Sequence, residues 1–227
     1  MVITIGNVKG KTTMKRKLDR NEMSEKLIEV TLRMIEERGG LQGVNLRQIA
    51  LRANCAHTNI YNYYQNFEEL LWDVFARIGE IWAQSAMPDI KPGNSLEEIS
   101  LRTTSTQIDF ALAHPGWYRC LWLEPLSGKP PQSIIDARRE QRDLIAGLIM
   151  QSGQGITREF ANELFMILFS YVHGSICLMI NGRIYRSTLP EYKEHILRNA
   201  SFLLETLKNQ TDFPQSASKK AAKNHAS

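Results

Sequence analysis

Apolar residues recur three or four positions apart along most of this chain, and this spacing places side chains on one face of an α-helix. In the first such segment the positions that share a face are Leu27, Val30, Thr31, Met34 and Ile35. After residue 5 we find no convincing alternation of apolar and polar residues of the kind that strands show. The pattern therefore predicts an all-α protein.

Capping residues and glycines divide this pattern into nine predicted helices. Asp19, Asn45, Asn66 and Ser95 each stand three residues before a Glu or Gln, which is the spacing of a capping box. Gly39-Gly40 and Gly153-Gln154-Gly155 mark breaks. The predicted helices begin near Asp19 and Asn45, cover about 57–64, begin again at Asn66, and then cover about 95–113, 117–123, 133–150, 157–180 and 188–208.

The positive charge of the chain is concentrated at its two ends. Six of the first 20 residues are basic and one is acidic, while residues 208–227 contain four basic residues and one acid. Because the formal net charge of the whole chain is +4, the part between these ends is net acidic. Basic arms often contact nucleic acid, and the alternative is that they only keep the protein soluble. We expect residues 1–18 to form a disordered basic arm and residues 211–227 a disordered basic tail.

The composition excludes several classes of protein. With 227 residues, 43% of them hydrophobic and 23% charged, the chain resembles soluble globular proteins and is long enough to bury a core. Cys55, Cys120 and Cys177 are too few and too scattered for a disulfide framework or a zinc cage, so we expect a reduced, cytoplasmic setting. The uncharged run 164–180 is short for a membrane span and contains polar residues, and we interpret it as a buried helix rather than a membrane segment.

Residues 44–71 contain two short predicted helices joined by a three-residue break, which is the organisation of a helix-turn-helix. In that motif the second helix enters the major groove by its N-terminal end, and the first helix crosses the DNA backbone. Residues 45–66 include Arg47 and Arg52 but no acid that would repel phosphates. The alternative is a plain helical hairpin within a bundle. The side chains that can reach phosphates or base edges, and that we predict to contact DNA, are Arg47, His57, Thr58, Asn59, Tyr61, Asn62 and Tyr63.

The same stretch resembles the TetR family of bacterial transcriptional regulators. That family reads roughly IA-x-x-A-G-V-S-x-x-T-L-Y-x-H-F-x-x-K-x-x-L, and the positions of this chain in register are Ile49, Ala50, Ala53, Ile60, Tyr61, Tyr64 and Leu70. The match covers about residues 24–75. The resemblance implies a three-helix DNA-binding domain at 19–66 and a helical bundle at 67–210 for effector binding and dimerisation. We predict that the helix at 67–85 links the two domains, and that Tyr64 belongs to the core.

Two departures from the family pattern affect DNA binding. Asn54-Cys55-Ala56 replaces Gly-Val-Ser, so the serine that caps the recognition helix is lost, and such a cap typically contributes about 1 kcal/mol. Phe67 stands where the family has a phosphate-contacting lysine. We hypothesise that His57 or the basic arm compensates, with the arm entering the adjacent minor groove as homeodomain arms do.

By the same resemblance, the C-terminal part binds a small-molecule effector and forms a homodimer. We predict that Trp117, Trp122, Phe169 and His173 bind the effector, although ordinary core packing accounts for most aromatic residues here. The segment 171–174 (YVHG) resembles the His-Gly helix of one TetR subgroup. Dimerisation is expected to use helices 157–180 and 190–208, and the dimer would recognise a pseudo-palindromic operator in double-stranded DNA with half-sites about 34–36 Å apart.

These observations predict a dimeric repressor that a small molecule releases from its operator, with activation instead of repression left open. The alternative is an all-helical adaptor that does not bind DNA. We expect no enzymatic activity, because the five histidines are scattered and no serine lies in a nucleophile elbow. The glycines of the segment 6–12 are one residue too close for a phosphate loop. His173 and Cys177 share a helix face but lack further ligands nearby, so we predict neither a metal nor a cofactor.

Overall fold

The computed structural model describes residues 20–86, 90–91, 93–185 and 188–209, and this part of the chain consists of α-helices and their connections. Its helices are α1 (Arg20–Arg38), α2 (Leu46–Arg52), α3 (His57–Ile60), α4 (Phe67–Ala86), α5 (Leu96–Ala113), α6 (Pro115–Trp122), α7 (Gln132–Gln151), α8 (Arg158–Ile180) and α9 (Leu189–Asn209). The prediction of an all-α protein is confirmed for the described residues. The predicted arm at 1–18 and tail at 211–227 lie outside them, as does the segment 6–12.

The first three helices pack around the apolar faces that the sequence pattern predicts. Leu27, Ile49 and Ile60, one from each helix, are fully buried and meet in a common core. The predicted cap of α2 is present, since the Asn45 side chain accepts a hydrogen bond from the Gln48 N–H at 3.1 Å. Local capping and one shared core therefore define the N-terminal unit.

The third helix is shorter than the predicted range of 57–64, so that boundary is wrong. α3 ends at Ile60, and in the turn that follows the Asn62 N–H donates to the Asn59 carbonyl at 3.2 Å while the Tyr63 N–H donates to the Ile60 carbonyl at 2.9 Å. These bonds reach back three residues instead of four, which tightens the chain relative to an α-helix. The turn brings Tyr64 into the core at 4% exposure, and this confirms the prediction for that residue.

The remaining helices form a bundle that is packed against the N-terminal unit. α5 contacts α8 and α9, α7 contacts α8, and α6 contacts both α1 and α4. One apolar cluster extends from Ile35 of α1 through Ile78 of α4 and Tyr118 of α6 to Ile176 of α8. The packing is therefore continuous across the predicted domain boundary at 66–67.

α8 is the longest helix, and by length and composition alone it could cross a membrane. A core helix of a soluble protein passes the same test, so one such helix is weak evidence for a membrane protein. One side of α8 packs against α5, α7 and α9, whereas Met166 and Leu178 on another side are 51% and 50% exposed. α8 is therefore a helix of the bundle with one uncovered apolar face.

Candidate DNA-binding surface and ligand cavity

The turn between α2 and α3 is formed by backbone hydrogen bonds that end α2. The Cys55 N–H donates to the Ala50 carbonyl at 3.0 Å, and the Asn54 N–H donates to the Leu51 carbonyl at 3.1 Å, which together form a Schellman motif. Asn54 adopts a left-handed conformation with φ of 54°, which asparagine tolerates better than most residues other than glycine. Asn54 therefore fulfils the conformational role of the glycine in the family pattern. Ala56, at the N-cap of α3, makes no side-chain capping bond, as the loss of the serine predicts.

The residues predicted to contact DNA lie on α2, on α3 and in the turn after α3. The exposed ones are Arg47, His57, Thr58, Tyr61 and Asn62, whereas Asn59 and Tyr63 are half-buried. The Asn62 side-chain amide donates from Nδ2 to the side-chain oxygen Oδ1 of Asn59 at 2.8 Å. The His57 and Tyr61 rings meet edge to face with centroids 5.5 Å apart. The structure therefore brings these four side chains together in two contacting pairs.

The charge of this surface is lower than the sequence of α2 indicates, because Arg52 forms an ion pair with Glu37 of α1. Arg47 has no ion-pair partner among the described residues, so its charge is available to a phosphate. Leu51, which is not among the residues predicted to contact DNA, is largely exposed beside it. Leu51 lies off the inward face of α2, which contains Ile49 and Ala50, and this position in the apolar pattern indicates that it is exposed.

A cavity of about 640 Å³ lies between α4, α6, α7 and α8, and this volume suits a small organic molecule. Its walls are mostly apolar and aromatic and include Phe75, Trp82, Trp122, Ile134, Ile145 and Phe169. A smaller space of about 60 Å³ adjoins it toward α5, and Gln141 and Phe165 line both spaces.

Two of the four residues predicted to bind an effector line this cavity, and a third, His173, packs against one of them. Trp122 and Phe169 line it with ring centroids 5.2 Å apart, and the His173 ring stacks on Phe169 at 5.6 Å. The structure does not bring Trp117 to this group, because Trp117 and Trp122 are five residues apart and point to nearly opposite sides of α6. The Trp117 indole N–H donates instead to the Leu32 carbonyl of α1 at 2.9 Å.

His173 belongs to a chain of hydrogen bonds between α5, α6 and α8. The Gln107 amide donates to the Tyr118 hydroxyl at 3.4 Å, and that hydroxyl lies 2.7 Å from Nδ1 of His173. Burial raises the pKa of the Tyr118 phenol and lowers the pKa of His173 below its usual 6.5. A protonated phenol therefore donates to a neutral imidazole, whose Nε2–H faces the Cys177 sulfur at 3.5 Å. This network fixes the ring that supports Phe169.

The polar groups of the cavity are not among the residues predicted from the sequence. The Arg138 guanidinium lies over the rings of Phe75 at 4.8 Å and Trp122 at 5.6 Å. The buried side-chain nitrogens Nε1 of Trp82, Nε1 of Trp122 and Nε2 of Gln141 have no hydrogen-bond partner among the described residues. Arg138 belongs to a charged run of α7 that is typical of a solvated helix face, so nothing in the sequence distinguishes it.

The part of the chain that the structure describes contains no group of three or more His, Cys, Asp or Glu side chains that could hold a metal ion. The cavity lining offers aromatic stacking, hydrogen-bond donation and the charges of Arg138 and Arg142. Groups of this kind can bind and orient a ligand.

Solved structures of transcriptional regulators have the same fold. A TetR-like transcriptional regulator from Rhodococcus sp. RHA1 is 17% identical, with a TM-score of 0.59 over 83% of this chain and 99% of that chain. A TetR-family transcriptional regulator from Streptomyces coelicolor is 17% identical, with a TM-score of 0.65 over 84% of this chain and 83% of that chain. A TetR protein from Acinetobacter baumannii AYE in complex with minocycline is 14% identical, with a TM-score of 0.59 over 85% of this chain and 97% of that chain.

No protein-family model matches the sequence, and no curated protein matches it. The likeness to the solved structures covers the helix-turn-helix and the bundle together. The chain therefore has the fold of the TetR-family transcriptional regulators, which confirms the resemblance found in residues 24–75 at the level of the fold.

Proposed function

We propose that this protein is a TetR-like transcriptional regulator that binds duplex DNA as a homodimer and that a small-molecule effector releases it from its operator. The observation that carries the proposal is an exposed, acid-free helix-turn-helix whose polar side chains lie outside the core. The shared fold with proteins described as transcriptional regulators supports it.

The exposed side chains suggest a division of roles on DNA. Arg47 and the hydroxyls of Tyr61 and Tyr63 bind phosphates, and these contacts position the protein without reading sequence. His57, Thr58 and Asn59 offer donors and acceptors to base edges in the major groove. Asn62 uses one amide hydrogen on Asn59 and keeps its carbonyl oxygen and its other hydrogen, which suits a paired contact with adenine.

Dimerisation is proposed through α8 and α9. Met166, Ser170, Gly174 and Leu178 are exposed at intervals of four residues along α8, and a Cβ added at Gly174 would meet nothing among the described residues within 4 Å. Phe202 of α9 is 70% exposed. A second copy would cover these apolar side chains, and a two-fold dimer would place two recognition helices on half-sites about 34–36 Å apart.

We assign residues 19–66 to DNA binding and residues 67–210 to effector binding and dimerisation, with 67–85 as the linking helix. The basic segment 1–18 is proposed to follow the adjacent minor groove. Deleting residues 1–18 is then expected to weaken operator binding and reduce its salt dependence. Unchanged affinity and unchanged salt dependence would contradict the role of the arm.

Two helices connect the cavity to the DNA-binding unit. α4 begins next to the recognition turn and lines the cavity with Phe75 and Trp82, so it is the predicted link. α6 is a second link, because Trp122 lines the cavity while the Glu124 carboxylate just after the helix accepts the Leu41 N–H at 2.8 Å. An effector that displaces Trp122 would shift α6 against α1. The available free energy equals the difference in effector affinity between the two states.

The test is selection of bound sequences from random duplex DNA with the full chain, repeated at two salt concentrations. Enrichment of a palindrome with half-sites one helical turn apart would support the proposal. Salt-sensitive binding without enrichment would contradict a sequence-specific regulator. No binding by effector-free protein would favour the helical adaptor.

Variants separate specific from non-specific contacts. Tyr61→Ala and Asn62→Ala are expected to lose affinity for the selected operator while the dimer persists. Tyr185→Ala removes an even more exposed tyrosine outside the motif and serves as the control. Arg47→Ala should weaken binding to all sequences and reduce the salt slope by about one.

Leu178→Glu should dissociate the dimer in analytical ultracentrifugation, and a dimer that persists would contradict the α8 interface.

A further inference from the structure

The cavity between α4, α6, α7 and α8 contains an arginine whose charge has no counterpart. Arg138 makes no ion pair or hydrogen bond among the described residues, and its guanidinium lies against the faces of Phe75 and Trp122. Partial desolvation lowers the pKa of Arg138, yet an arginine stays protonated at any physiological pH. Arg138 remains exposed to solvent, and a cation without an ion-pair partner among the described residues attracts an anion.

Three side chains that line the same cavity contain hydrogen-bond donors without a partner among the described residues. Nε1 of Trp82 and Nε1 of Trp122 can only donate hydrogen bonds, and Nε2 of Gln141 is also a donor. Buried donors without partners are costly and uncommon in folded proteins. Trp82, Trp122 and Gln141 all line the cavity, so they add hydrogen-bond donors rather than negative charge to its walls.

The acid at the cavity does not neutralise this charge. Glu80 lines its edge, but it is 64% exposed and lies 3.4 Å from the Arg77 guanidinium. Arg142 also lines the cavity and adds a second positive charge near Arg138. The walls therefore combine a positive potential with apolar and aromatic surface.

We infer that this cavity binds a small organic anion, with an apolar aromatic body against Trp122 and Phe169 and an acidic head group at Arg138 and the unpartnered donors. A carboxylate suits this set, since its two oxygens can accept from a guanidinium and from further N–H groups at once. The inference names the chemical class of the effector and rests on the proposed regulatory function.

The test compares two probes of the same shape, 2-naphthoate and its neutral amide 2-naphthamide, by isothermal titration with the full-length protein. Naphthoate is expected to bind roughly tenfold more tightly than the amide, with one site per chain, because a charge-assisted pair is stronger than a neutral hydrogen bond. Arg138→Met keeps an unbranched apolar stem and should abolish this preference. Arg158→Met removes the same charge from an exposed residue that pairs with Asp143, and this control should keep the preference.

Gln141→Leu gives a second, independent readout. Replacing an unpartnered buried amide with an apolar side chain of similar size should raise the melting temperature, while naphthoate affinity falls several-fold. If Gln141 had only a structural role, replacing it would not raise the melting temperature and lower the naphthoate affinity at the same time.

Three results would overturn the inference: equal or tighter binding of the amide, an unchanged preference in Arg138→Met, or no binding of either probe at millimolar concentration. These experiments contain no DNA. Operator binding with no naphthoate binding would overturn only the chemical class of the ligand. Naphthoate binding without any DNA binding would overturn the proposed function instead.

Discussion

Replacing Gly116 with alanine is expected to destabilise the protein, because Gly116 packs directly against the backbone of α1. A Cβ at this position would lie 2.5 Å from the Ile35 carbonyl oxygen and 3.0 Å from the Cα of Glu36. Ile35 is fully buried, and its carbonyl also accepts the Gly40 N–H at 2.9 Å where α1 ends. Neither atom is the end of a flexible side chain, so α6 and α1 would have to move apart.

The size of the effect follows from this geometry. Ordinary van der Waals contact begins near 3.4 Å, so the two backbones must separate by about 0.9 Å at this point. Adding a methyl group to a packed site costs about 1–3 kcal/mol. The higher helix propensity of alanine recovers up to about 1 kcal/mol. We expect a net loss of about 1–2 kcal/mol in the free energy of unfolding. In a protein of this size, each kcal/mol lowers the melting temperature by about 2–4 °C.

Urea unfolding at one protein concentration measures this loss. Gly147→Ala is the matched control, since Gly147 also lies in a helix but a Cβ there would meet nothing among the described residues within 4 Å. That variant is expected to gain about 0.5–1 kcal/mol from helix propensity. If Gly116→Ala were as stable as Gly147→Ala, the close contact between α6 and α1 would be refuted.

Three further predictions concern stability and pH. Ala56→Ser should supply the missing cap of α3 and raise the free energy of unfolding by about 1 kcal/mol, measured by urea unfolding. Asn45→Ala should remove the cap of α2 and lower that free energy by about as much. A loss of stability in Ala56→Ser would contradict the cap geometry. Burial lowers the pKa of His173 in the folded protein below its usual 6.5, so near and below pH 6.5 the unfolded chain binds more protons than the folded one. The free energy of unfolding should therefore fall as the pH drops through 6.5. His173→Gln should flatten this dependence between about pH 7.5 and about pH 5.5, and an unchanged slope would refute the assignment. Trp117→Phe should cost about 1 kcal/mol more than Trp122→Phe in urea unfolding, because only the Trp117 N–H has a hydrogen-bond partner, and equal losses would contradict that difference.

Helix placement and the helix-turn-helix were predictable because their signals are local. Capping residues such as Asn45, Asn66 and Ser95 act on backbone groups three residues away, and the spacing of apolar residues reflects the geometry of a single helix. The same reasoning explains why Tyr64 was assigned to the core. The end of α3 was less predictable, since a turn with bonds to the third residue before it has nearly the same apolar spacing as an α-helix.

The all-α class, the order of the helices and the region that resembles a DNA-binding motif can be inferred from the residues alone. Which side chains meet across helices depends on how the helices pack. Glu37 of α1 pairs with Arg52 of α2, and Trp117 faces α1 while Trp122 faces the cavity. Arg138 forms no ion pair with any residue that the structure describes. Partners of this kind are distant in sequence, and whether a charge is paired depends on how the helices pack rather than on the residues next to it. The cavity and the two arginines that line it are therefore apparent only in the folded chain.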